Sequence, residues 1–153
     1  MDYHTLKLIH ILGATLLYGT GLGSAFYLYF AFRGGDIAAI RQVARLVVWA
    51  DLVFTTPAVL LQPLTGWAMF VRAPLPDPWL LWVLGLYGLV GACWIPVVFI
   101  QVRLRDLALR SERVSDEMRR WMRLWVALGV PAFGAGPVLY GLMVFKPALG
   151  LTP

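Results

Sequence analysis

Four long apolar stretches constrain this chain more than any other feature. Leu8 to Phe32 carries no Asp, Glu, Lys or Arg, and Leu46 to Val71 carries only Asp51. Trp79 to Val102 and Leu124 to Phe145 carry none. At about 1.5 Å per residue, a helix of each length exceeds the roughly 30 Å hydrocarbon core of a bilayer. The sequence therefore predicts an all-α, four-helix transmembrane bundle with spans at about 4–32, 46–71, 79–102 and 121–146. Residues 1–153 then form a single integral membrane domain. The first apolar run is too long for a cleavable leader and lacks a basic start, so an uncleaved first span is expected. The single cysteine, Cys93, falls inside the third run and reads as a small apolar residue.

The net charge of +5 raises the question of nucleic acid, and its distribution answers it. Arg33, Arg41 and Arg45 follow the first span, and seven arginines from Arg103 to Arg123 separate the third from the fourth. The other side holds only Lys7, Arg72 and Lys146. That asymmetry is the positive-inside pattern of a membrane protein. It predicts a multi-pass protein of the bacterial cytoplasmic membrane, with the arginine-rich loops inside and both termini on the outer, periplasmic side. The partner of the basic surface is then the anionic lipid headgroup, and no nucleic acid is expected.

Local signals divide the chain further. Arg33-Gly34-Gly35-Asp36 reads as a turn, and Ile37 to Arg45 as a short amphipathic lead into span two. Pro74, Pro76 and Pro78 bracket the loop before span three. Ser115, followed by Asp116 and Glu117, reads as an N-cap. Tyr3, Trp67, Trp79, Trp82, Trp121 and Trp125 sit near span ends, where interfacial anchors belong.

Helical phasing then sorts inward faces. His10, Ala14, Leu17, Gly21, Ser24 and Ala25 share a stripe on span one, with Gly19 and Gly23 as a GxxxG pair on a mostly different face. Span two aligns Asp51, Thr55, Ala58, Gln62, Thr65, Gly66 and Met69. Span three is read through Gly85, Gly88, Ala92 and Pro96, and span four through Gly129, Phe133, Gly136, Tyr140 and Met143. Pro57 and Pro63 interrupt the ladder of span two.

Two intramembrane residues carry chemistry. His10 reads as a histidine bonded to Gln62 or Thr65, as an axial ligand to haem iron, or as a proton relay. Asp51 reads as a hydrogen-bonded acid tying helices together, an acid reaching Arg45 or Arg103, or a proton carrier. Lys7, Arg72 and Lys146 read either as snorkelling cations or as a rim around haem propionates. His4 reads as solvated, and Met118 with Met122, set among arginines, is discounted as a copper site. No nucleophile–base pair, phosphate loop or cysteine metal motif is present.

The segments Leu6-Lys7-Leu8-Ile9-His10-Ile11-Leu12, Gly19 to Gly23, Ala50-Asp51 through Ala58, Gln62 to Gly66 and Met143 to Pro147 resemble a family of small bacterial integral membrane proteins of unknown function. More distantly, the Lys7-x-x-His10 opening resembles the copper-resistance D group and the four-helix membrane protoporphyrinogen oxidase. In the oxidase family the matching histidine is a haem b ligand, opposed by a lysine in helix three. That resemblance implies haem b on His10. Span three has neither lysine nor histidine, which leaves Met69, Met143, Tyr140, water or a substrate for the opposite position.

The expectation is thus a haem b-binding membrane redox protein with His10 as axial ligand. Gln62 and Thr65 surround it, Tyr140 and Met143 line the far side, and Lys7, Arg72 and Lys146 hold the propionates. Electron transfer would run to quinone or to a membrane or periplasmic redox partner. Two alternatives stand beside it: a non-catalytic accessory or assembly subunit of a membrane complex, and a proton-coupled transporter using Asp51 and His10, which would require a homodimer. Whether the chain is an enzyme is left open.

Overall fold

A computed structural model describes residues 1–72 and 79–147. The three loop prolines, Pro74, Pro76 and Pro78, lie outside the described residues. The described chain forms α1 (Tyr3–Gly34), α2 (Ile37–Ala50), a wide π-helical turn (Asp51–Thr55), α3 (Thr56–Phe70), α4 (Trp79–Arg110) and α5 (Asp116–Phe145). With α2, the π turn and α3 running on as one rod, Ile37–Phe70, four helices are long and apolar enough to cross a membrane. No strand occurs among the described residues. A bilayer offers no water to the backbone, so helices that pair their own polar groups are the economical solution.

Side chains close the helix ends. Asp2 Oδ1 accepts from Thr5 N at 3.0 Å, and Asp36 Oδ1 from Ala38 N at 2.9 Å. Ser115 Oγ accepts from Met118 N at 3.2 Å, as its sequence context predicts. Gly35 stops α1 in the left-handed region, at φ 74°, a conformation that glycine adopts without strain. A less visible cap comes from a different helix. Arg41 on α2 donates through Nε to Ala108 O at 3.1 Å and through a terminal nitrogen to Ser111 O at 3.0 Å. It satisfies carbonyls at the end of α4 and puts a cation at the negative end of that helix.

The dense core lies at the arginine-rich end. Leu28, Ile40, Leu104 and Met118 are completely buried there, with Val47, Ile100, Met122 and Trp125 packed around them. Trp125 is therefore no interfacial anchor: it is 6% exposed and faces the bundle. The face chosen for span three is also corrected. Gly85, Gly88 and Ala92 point outward, whereas Val83, Cys93, Val97, Ile100, Gln101 and Leu104 are buried. These three small residues lie on the outward side of α4, while Gly91 and Ala108 face inward, and Gly19 of the GxxxG pair is likewise open.

Helix α5 packs along α4, and α1 along α3. The seams between α1 and α5 and between α3 and α4 are sparse. Tight α1–α5 approach is confined to notches. A Cβ on Gly136 would run into the Tyr18 ring, and one on Gly21 would press the Phe133 ring at 3.2 Å.

Candidate functional site

The prolines of the second rod create the site. Pro57 has no N–H, and its ring clashes with the carbonyl four residues back in an ideal helix. The chain answers with the π turn just before it, in which the Thr56 N–H reaches Asp51 O, five residues back. Such turns concentrate at functional sites. This one presents Asp51 and Thr55 inward, with the Thr55 hydroxyl donating to Asp51 Oδ1 at 2.8 Å. The Gln101 side chain of α4 adjoins the same carboxyl. Neither Arg45 nor Arg103 reaches it: Arg103 pairs with Glu117 at 2.9 Å instead. The arginine reading of Asp51 is overturned, because the fold spends that arginine at an exposed helix end.

Pro63 repeats the effect one level further along the rod. It cannot donate to Val59 O, and the Tyr87 hydroxyl of α4 does so at 2.6 Å. This bond bridges the sparse α3–α4 seam.

A second polar knot lies nearer the chain termini. Gln62 Nε2 donates to His10 O at 2.9 Å, and His10 Nδ1 lies 2.7 Å from Thr65 Oγ1. The Thr65 hydroxyl also lies 2.7 Å from Leu61 O and 3.2 Å from Gln62 O. Carbonyls only accept, so the hydroxyl proton goes to them and its oxygen accepts from the histidine. The network assigns the proton of His10 to Nδ1 and leaves Nε2 with a lone pair.

Between the two knots is a chamber of about 160 Å³. Its wall is overwhelmingly apolar, built from Tyr18, Trp94, Phe133 and neighbouring aliphatic groups. Asp51, Thr55, Gln101 and Trp125 line one part, and Gln62, Tyr140 and Met143 another. Gln101 Oε1 and Trp125 Nε1 are fully buried and have no hydrogen-bond partner. Leaving such a group unpaired costs about 1–3 kcal/mol.

The structure thus brings His10, Gln62 and Thr65 together, and puts Gln62, Tyr140 and Met143 on the chamber wall. His10 itself is not on that wall. Lys7, Arg72 and Lys146 do not converge by any contact. Lys7 is exposed, Arg72 in the turn after α3 donates back to Ala68 O of that helix, and Lys146 sits 5.8 Å over the Trp79 ring. For haem the donor matches and the space does not. A histidine with Nδ1–H held by an acceptor is poised to ligate through Nε2. Yet drug-sized sites span roughly 300–1,000 Å³, haem exceeds such ligands, and this chamber falls below that range. No group of three or more His, Cys, Asp or Glu side chains suited to a metal ion occurs among the described residues.

Sequence reasoning missed Tyr87, Trp94, Gln101 and Trp125. The first three share a heptad spacing on α4, through positions 83, 87, 90, 94, 97, 101 and 104, whereas Trp125 lies on α5, outside that pattern.

A family model described as "Predicted integral membrane protein (DUF2269)" matches residues 4–147. The chain belongs to that family. No curated protein and no solved structure matches it. A likeness to the copper-resistance D group or to the membrane protoporphyrinogen oxidase is not shown by these comparisons.

Proposed function

For this member of a membrane-protein family without an assigned activity, we propose that the chamber binds the headgroup of a lipid-soluble quinone. One observation carries the reading: an apolar chamber lined by Gln101 and Trp125, whose Oε1 and Nε1 are buried without hydrogen-bond partners, beside the Asp51 carboxyl group. A cavity of about 150 Å³ accommodates a benzene ring, so a single substituted ring matches the size here. A ring carbonyl would accept from Trp125 Nε1, and a hydroxyl on the reduced ring would donate to Gln101 Oε1. Asp51, held by Thr55, would exchange a proton with the bound oxygen. The ligand would arrive from the lipid through a sparse seam, leaving its tail outside. The arginine distribution supports the further proposal that the arginine-rich end is cytoplasmic, that both termini are periplasmic, and that the membrane is the bacterial cytoplasmic one.

The test is quenching of tryptophan fluorescence by a short-tailed quinone in nanodiscs. Saturable quenching is expected in the wild type, weakened about tenfold in Gln101→Leu, one lost hydrogen bond to a buried partner. Absence of saturation, or an unchanged affinity in Gln101→Leu, refutes the proposal.

Haem b on His10 is the second reading, favoured by the bare Nε2. It requires the helices to part beyond the present chamber. An absorption spectrum of the purified protein tests it. A Soret band lost in His10→Ala supports it, and a colourless protein after haem supplementation ends it.

A further inference from the structure

Of the eleven arginines, three are held by the fold and four share one groove, with Arg45, Arg72, Arg110 and Arg113 in neither set. Arg41 caps α4, Arg103 pairs with Glu117, and Arg105 pairs with Asp106 at 2.8 Å. Four others, Arg33, Arg119, Arg120 and Arg123, line one open groove of about 710 Å³ between the end of α1 and the start of α5. None of the four is in an ion pair among the described residues. Asp116 is the single carboxylate on the groove wall. The first turn of α5 adds its own partial positive charge.

The floor of the groove is apolar, from Phe32, Met122 and Val126. Along α1, Phe26 and Phe30 continue as exposed aromatic surface into the membrane-spanning part. A cationic mouth over an apolar floor, opening on a lipid-facing helix, suits a lipid rather than a soluble anion. Guanidinium groups engage phosphate oxygens in pairs. One phosphate would leave much of this four-guanidinium wall unused.

We propose that this groove is a binding site for a phospholipid with two phosphates in its headgroup, of the cardiolipin type. The phosphates sit among the four guanidinium groups, and acyl chains follow the sparse α1–α5 seam. This site is separate from the chamber and does not depend on what the chamber binds.

Native mass spectrometry of the full chain, released from nanodiscs of neutral lipid doped with cardiolipin or with phosphatidylglycerol at equal total charge, tests the proposal. Cardiolipin should stay bound preferentially. The double variant Arg119→Gln/Arg123→Gln should lose it about tenfold or more. The control Arg110→Gln/Arg113→Gln removes the same charge outside the groove and should change retention by no more than about twofold. Circular dichroism confirms that both variants keep their helices. Equal retention of the two lipids, or equal loss in the two variants, overturns the proposal in favour of a general surface attraction. Binding of inorganic phosphate by lipid-free protein as tightly as cardiolipin would overturn it in favour of a soluble-anion site.

Discussion

The Tyr87 hydroxyl donates to the Val59 carbonyl at 2.6 Å, replacing the backbone donor that Pro63 lacks. A break in one helix is thus repaired by a side chain of another, across a seam that is otherwise thinly packed. The bond ties α4 to α3 beside the chamber, whose wall includes both Tyr87 and Val59.

Tyr87→Phe should lower stability by about 1–3 kcal/mol, because it leaves a half-buried carbonyl unpaired. Thermal unfolding in detergent reads this directly. In a Pro63→Ala background the backbone donor returns, and the same substitution should cost clearly less. An equal cost in both backgrounds would refute the repair.

The His10 tautomer gives a spectroscopic prediction. Nitrogen-15 NMR should find the proton on Nδ1 in the wild type, since Thr65 Oγ1 is committed to accepting. Thr65→Val removes the acceptor and should abolish that preference. A wild-type signal with the proton on Nε2 would contradict the assigned network.

Glycines divide into two classes with opposite outcomes. Gly136→Ala collides with the Tyr18 ring, and Gly13→Ala meets Gln62 Nε2 at 2.7 Å, where it would disturb the bond to His10 O. Each should destabilise by about 1–3 kcal/mol. Gly19→Ala and Gly85→Ala meet nothing within 4 Å and should be neutral or stabilising by up to about 1 kcal/mol. Chemical unfolding of the four variants separates the classes.

Acid should loosen the start of α1. The Thr5 hydrogen bonds at the N-cap hold the Asp2 carboxyl below its usual range. A depressed carboxylate stabilises the fold above its unfolded pKa and loses that contribution as pH falls through the folded one. Protection of the first-turn amides, measured against their intrinsic exchange rates at each pH, should therefore fall below the usual carboxylate range. Asp2→Asn should remove that pH dependence, and its persistence there would assign it to another group.

The legibility of the faces follows their polarity. On the second rod Asp51, Thr55, Gln62 and Thr65 lie on one stripe, and all four are buried as their spacing implies. His10 was found for the same reason, and its partners were among those the sequence suggests. On α4 the glycine stripe misled. Gln101, the one amide on the true inner face, adjoins a run of arginines and reads as a helix end. Trp125 reads as an anchor because its position along the chain suits the interface, while its direction depends on how α5 meets α4.

The sequence by itself determined four helices long and apolar enough to cross a membrane, the Ser115 cap of the last and the segregation of arginine. These follow from backbone pairing and charge, which act locally and need no partner helix. Only the tertiary structure decided which side of each apolar helix faces in, which arginines stay unpaired and where the chamber lies. The physical reason is that lipid tails are as apolar as a bundle interior, so hydrophobicity does not distinguish the two faces of α4. Where a helix carries polar groups the inward face is marked in the sequence. Where it does not, shape complementarity with its neighbours chooses the face, and that is a property of the assembled bundle.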